Sequence, residues 1–159
     1  HTRAELRMVA ASALARLGDR ESARLIRPLL GDGTPEVRQL AADSLFTLKD
    51  EVALDLAQKA VVSDMRPIDG YVRLLGLFHD PKALGFLKVR LYEDSDPPTR
   101  AQAAWALGEL GSLEAVEPLE DALAKDRTAA VRREAALALG KLKNMASAAK
   151  LIHSCKRDP

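Results

Sequence analysis

The side chains that usually do chemistry are few in this chain and poorly spaced for it. Its histidines are His1, His79 and His153, and its one cysteine is Cys155. A metal centre needs His, Cys or carboxylate ligands gathered at coordinating distance. His153 and Cys155 are two residues apart, and on a helix such neighbours do not share a face. The same spacing fails a Cys–His nucleophile pair, which needs thiol and base within hydrogen-bond reach. His79 stands beside Asp80, with no second pair of that kind elsewhere. Gly31 and Gly33 flank Asp32 and read as turn residues, not as a phosphate loop. No catalytic residue, metal or cofactor is therefore expected, and function is sought in the surface.

Composition narrows the classes. The chain has 159 residues, 47% apolar and 30% charged, which suits a folded unit with a buried core and excludes a mostly disordered chain. One cysteine excludes an intramolecular disulfide framework. No apolar run approaches the roughly 20 residues a membrane helix needs, and no signal-peptide pattern opens the chain, so a cytoplasmic location is expected. A net charge of +1 argues against a general nucleic-acid binder. The neutral total hides blocks of +3 over residues 1–30, −8 over 31–124 and +6 over 125–159. Such blocks bias which partners approach and say nothing of the fold.

The elements that position these residues repeat. LRMVAASALARLGD at 6–19 aligns with VRQLAADSLFTLKD at 37–50, TRAQAAWALGELGS at 99–112 and VRREAALALGKLKN at 131–144. A degenerate copy, GYVRLLGLFHD at 70–80, falls between when Asp80 is set on Asp19 and Asp50. The copies then start at Leu6, Val37, Pro67, Thr99 and Val131, spaced 31, 30, 32 and 32 residues apart. Ala103, Ala104, Leu107 and Leu110 recur at three and four, the stripe of a helix. A second helical stretch follows each copy, at 20–31, 51–63, 81–92, 113–125 and 145–155. Pro35, Pro67 and Pro98 sit at helix starts, while Pro28 and Pro118 lie inside expected helices and should bend them. No alternating strand pattern is present. The expected fold is all-α, with about five helix pairs stacked because one pair cannot bury its apolar faces alone. Residues 1–159 are expected to form one repeat domain, opening and closing on half pairs in the manner of a fragment of a longer array. The seam at 63–70, SDMRPIDG, is its weakest point.

These residues resemble HEAT repeats, and in particular the short HEAT-like repeats of bacterial phycobilin lyases. The shared pattern is Asp, four residues, Val-Arg, two residues, Ala-Ala, one residue, Ala-Leu-Gly. It is fullest at Asp126 with Val131, Arg132, Ala135, Ala136, Ala138, Leu139 and Gly140, and at Asp94 with Arg100, Ala103, Ala104, Ala106, Leu107 and Gly108. Asp32 with Val37, Arg38, Ala41, Ala42 and Leu45 is a third match. The resemblance implies a right-handed α-solenoid held by a ladder of turn Asp and Arg. Its carried-over pairs are Asp32–Arg38, Asp94–Arg100 and Asp126–Arg132, with Arg7 the rung of the first copy. The third copy has Val62 and Ile68 at the two ladder positions, so the ladder should break there. Two enzymatic relatives of the architecture fit poorly. Deoxyhypusine hydroxylase holds its irons with His-Glu pairs, which this chain lacks, and HEAT-like DNA glycosylases present a strongly basic groove.

In the HEAT arrangement the Val-Arg helices line the concave side. Read across copies, one outward row is Ser12, Asp43, Arg73, Trp105 and Leu137. The next is Arg16, Thr47, Leu77, Glu109 and Lys141, and the third is Val9, Leu40, Gly70, Gln102 and Glu134. Trp105, Leu77 and Leu137 would form an apolar patch among charges, with Arg73, Asp43, Gln102 and Glu109 as its polar contacts. Trp and Arg are the types most enriched at binding hot spots. Trp105 either faces a partner or folds sideways over the Ala-rich groove as core. The expected function is a non-catalytic scaffold for a protein or peptide partner, with no membrane contact and nucleic acid disfavoured. The alternatives are a chaperone-like subunit of a bilin lyase and a structural module of a larger protein.

Overall fold

The computed structural model describes residues 2–142. His1, His153, Cys155 and the helix expected at 145–155 lie outside the described residues. Among those described, every regular element is helical. The chain divides into two compact units, His1–Phe78 and His79–Pro159. The segment 63–70, expected as a seam within one domain, lies inside the first unit.

In the first unit, α1 (Thr2–Leu17), α3 (Pro35–Thr47) and α5 (Asp69–Leu77) pack side by side with α3 in the middle. Helix α2 (Arg20–Ile26) packs on α1 and α3, and α4 (Glu51–Val62) packs on α5. Ile26, Leu30, Leu45, Ile68, Leu74 and Leu75 fill the space between them. In the second unit, α7 (Pro97–Leu110) lies along α9 (Ala129–Lys141), with α6 (Leu84–Glu93) on α7 and α8 (Val116–Lys125) on α9. Leu87, Leu107, Leu119 and Leu139 form its core.

Local chemistry sets the boundaries. Pro35 and Pro97 open α3 and α7, where a missing N–H costs nothing. Asp96 caps α7 by accepting from the Thr99 N–H at 3.2 Å and its hydroxyl at 2.8 Å. Pro28 cannot donate to the carbonyl four residues back, so α2 stops at Ile26 and the chain continues as a 3-10 turn, Arg27–Gly31. Pro118 lies within α8, as expected, but close to its start. A 3-10 turn at Leu113–Ala115 delays α8 to Val116, which leaves Pro118 in the first turn with no bond to lose.

One left-handed residue follows each of α1, α3, α5 and α7: Gly18 (φ 79°), Lys49 (φ 52°), His79 (φ 51°) and Gly111 (φ 75°). At Lys49 the helix ends in a Schellman motif, with Asp50 N donating to the Leu45 carbonyl at 3.0 Å and Lys49 N to Phe46 at 2.9 Å. A residue with a Cβ resists this conformation. Lys49→Gly is therefore expected to stabilise the protein by up to about 1 kcal/mol, the left-handed strain relieved less the extra freedom of glycine in the unfolded chain. Urea denaturation checks it, and a lowered midpoint for the variant would contradict the assignment of strain to this turn.

Candidate functional site

Two kinds of polar contact cross between helices, and they do different work. The first is an arginine–aspartate ladder. Arg7 meets Asp32 at 2.7 and 2.9 Å, and Arg100 meets Asp126 at 2.8 and 3.2 Å. In each case the guanidinium reaches forward to the carboxylate of the next repeat. Its own repeat supplies a second anchor: Arg38 Nη1 donates to the Asp32 carbonyl at 2.5 Å, and Arg100 and Arg132 donate to the Asp94 and Asp126 carbonyls, each at 2.8 Å. The pairs carried over from the family pattern, Asp32–Arg38, Asp94–Arg100 and Asp126–Arg132, thus meet through backbone carbonyls. Each turn carboxylate also accepts the N–H two residues on, at 2.8 Å from Thr34, 2.9 Å from Asp96 and 2.8 Å from Thr128.

At the Asp position of the third copy the ladder continues, because Asp69 stands in for Val62; at the Arg position Ile68 offers no guanidinium. Arg38 places both prongs on Asp69, at 2.6 and 2.9 Å, and both side chains are buried. Asp69 is the first residue of α5, where a carboxylate also faces the positive end of the helix. Gly70 permits the approach, since a Cβ there would stand 2.8 Å from the Leu30 carbonyl and 3.1 Å from Arg38 Cβ. Ile68 takes the missing arginine's place as fully buried core. Asp94 of the fourth copy is faced instead by Arg90 of its own pair, at 3.5 Å.

The second kind of contact lies on the rows expected to face a partner. In the first unit Arg73 forks onto Asp43 at 2.8 and 3.0 Å, so these two charges neutralise each other. Leu77 is half-buried nearby in sequence, and Phe46 and Phe78 meet edge to face at 5.4 Å. In the second unit Glu109 pairs with Lys141, whose ammonium stands 5.6 Å from the Trp105 ring centroid. Trp105 is half-buried and Leu137 is 56% exposed. Together with Glu134, Ala138, Gly140 and Lys141 they line a groove of about 460 Å³. A Cβ on Gly108 would stand 2.7 Å from both Cα and Cβ of Ala138. The α7 and α9 backbones are therefore closely packed at Gly108, and Trp105, one turn away, is half-buried and lines the groove.

The third row is divided: Gln102 is 8% exposed and Gly70 is buried against Arg38, whereas Val9 is exposed and Glu134 lines the groove beside Trp105. Sequence reasoning also missed Asp69, and the Arg27–Asp50 fork at 2.6 and 2.8 Å. His79 is exposed and its Nδ1 donates to the Glu109 carbonyl at 2.7 Å. Among the described residues no group of three or more His, Cys, Asp or Glu is placed to hold a metal ion, and no helix is long and apolar enough to cross a membrane.

The sequence model of HEAT repeats matches residues 1–68 and 70–140, and that of the PBS lyase HEAT-like repeat matches 131–157. Among solved structures, a chain from the complex of CpcE and CpcF of phycocyanin lyase from Nostoc sp. PCC7120 is similar. The TM-score is 0.65, over 87% of this chain and 89% of that one, at 22% identity. At that identity the likeness is one of fold. No functionally curated protein matches the chain.

Two expectations follow from the ladder. Asp69→Asn leaves the buried Arg38 without its counter-charge and should cost about 3 kcal/mol or more, whereas Asp64→Asn, at an exposed pair with Arg66, should cost less than about 1 kcal/mol. Chemical denaturation separates the two, and equal losses would remove Asp69 from the ladder. The hydrogen bonds from Arg7 hold the Asp32 carboxyl below its usual range. Burial pushes Asp126 up, but the Arg100 hydrogen bonds, the Thr128 N–H and the charges of Arg100 and Arg132 outweigh it and leave it lowered. A carboxyl lowered by folding stabilises the folded state fully above its unfolded value, 3.8 for these groups. That contribution should disappear as pH falls from there through the lowered folded values, and removing Arg100 should flatten the acid limb of a stability–pH curve.

Proposed function

We propose, from the premise that this chain belongs to the HEAT-repeat family, that it is a non-catalytic module holding another protein or a peptide segment on the groove beside Trp105. The observation that carries this reading is the placement of a half-buried tryptophan and an exposed leucine side by side along one groove of a closely packed helix pair. The groove floor is Ala138 and Gly140, its apolar walls are Trp105 and Leu137, and its rim is Glu134 and Lys141. Aromatic anchors ringed by polar groups are where interface energy concentrates. Lys141 is held by Glu109, so the rim is preorganised and little side-chain entropy is lost on binding. The Arg73–Asp43 fork plays a structural part in this reading, bracing α5 on α3. A cytoplasmic location suits a chain with one cysteine.

A second reading makes the chain a chaperone-like subunit of a cofactor-attachment enzyme. It is supported by the match of residues 131–157 to the PBS lyase repeat and by the likeness to a chain of the CpcE–CpcF complex. The partner would then be a pigment-bearing protein, and the same groove would receive it.

Trp105 is the only tryptophan, so its fluorescence reports this one position. Peptides selected from a displayed library on the intact protein should shift its emission to the blue. Trp105→Ala should weaken their binding roughly 30-fold, the effect of a hot-spot truncation near 2 kcal/mol, with helicity unchanged. Selected peptides that bind the variant as well as the parent would remove the groove from the interface. Titration with apo-phycocyanin subunits in the same assay separates the second reading from the first.

A further inference from the structure

In the second unit, α6 and α8 leave a cleft of about 460 Å³ between their last turns. Leu91 and Tyr92 of α6 form one wall, Asp121 and Ala122 of α8 the other, and the Arg100–Asp126 fork lies at the base. Both walls belong to helices that are packed within the unit, α6 on α7 and α8 on α9. The cleft is therefore a gap between neighbouring repeats and owes nothing to either end of the chain. Tyr92 is 52% exposed, and Val89, one turn before it, is 46% exposed. Leu87 and Leu91 of the same helix are buried, so the ring and the valine stand on the side of α6 turned away from its core.

The charges beside the ring are mostly negative. Glu93 follows Tyr92 at the end of α6, and Glu117 and Asp121 lie one turn apart on α8. The Tyr92 hydroxyl registers them: burial pushes its pKa up, and the charges of Asp121 and Glu117 push it further against a weaker opposing pull from Lys125. Both helices also end at the cleft, each bringing the negative end of its dipole. Lys125 meets Asp121 at 2.9 Å, but its side chain is 74% exposed. Such a surface pair contributes little and gives way readily to a better-placed cation. Arg100 is committed to Asp126. Arg127, exposed in the loop after α8, opposes a cationic ligand. A guanidinium suits the remaining geometry, because its flat face stacks on an aromatic ring while its edge donates to carboxylates. Val89 offers an apolar contact beside it, which favours a peptide side chain over a free polyamine.

We propose that this cleft docks a basic segment of a protein partner, with an arginine on the Tyr92 ring between Glu93 of α6 and Glu117 and Asp121 of α8, and an apolar neighbour on Val89. The interface is separate from the Trp105 groove, which is built on α7 and α9, and does not depend on it. The probe is a fluorescently labelled octapeptide of alternating leucine and arginine, titrated into the intact protein by anisotropy. It should bind roughly tenfold or more tightly than a leucine–glutamate octapeptide, lose affinity as salt is added, and be displaced poorly by spermine. Tyr92→Ala and Glu117→Lys should each weaken it roughly tenfold. Arg127→Glu should strengthen it and Trp105→Ala should leave it unchanged, with the same circular dichroism spectrum throughout. No binding, equal binding of the leucine–glutamate peptide, or affinity indifferent to both Tyr92→Ala and Glu117→Lys would each overturn the proposal. Loss of binding in Trp105→Ala with Tyr92→Ala unaffected would overturn it too, and would assign the peptide to the other groove.

Discussion

The structure depends on one repeated constraint: an arginine in the first turn of a helix must be held from two sides. A cation at a helix start sits against the positive end of the dipole. It is placed there because one Nη donates to the carbonyl of its own turn while the rest of the fork reaches the next repeat's carboxylate. Each arginine therefore measures the distance between its own turn and the next one. Apolar packing alone would let helices slide along their small-residue stripes. The fork removes that freedom, because a shift of even one residue would leave a largely buried charge unpaired. Where Ile68 replaces the arginine, the chain keeps the rung before it by presenting Asp69 and removes the obstructing side chain at Gly70.

Much of this was legible in the sequence. The period near 31 residues and the helix starts marked by Pro35, Pro67 and Pro98 are local signals, and local signals place helices well. The partners of the ladder were less legible. Asp32 and Arg38 are six residues apart and look like a pair, but an arginine side chain is long enough to pass its own turn. Whether its fork stops there or continues to the next repeat depends on stacking distance, which no single copy encodes. Asp69 was invisible for the same reason, being an acid at a helix start and not in a turn.

The candidate site divides along similar lines. Trp105 and Leu137 come together because their register in the repeat is the same and α7 packs on α9. Asp43 and Arg73 share that register in the other unit, but opposite charges at equivalent positions find each other before they find a partner. Gly70 lies three residues before Arg73, and that angular step carries it round α5 onto Arg38 of α3, while Glu134, three residues before Leu137, still lines the groove. Rows read from a repeat are reliable in register and uncertain in azimuth, because 3.6 residues per turn does not divide the spacing between rows.

The forks join residues separated by about 25 to 31 positions, close to one repeat length. Contact order in such a chain does not grow with its length, so closing each rung costs about the same loop entropy as closing the last. Folding of this kind propagates from neighbour to neighbour, and its unfolding is graded in the same way. Amide exchange should accordingly be slowest where forks flank a helix on both sides, as they do at α3 between the Arg7 and Arg38 rungs, and quickest where the ladder is anchored on one side only.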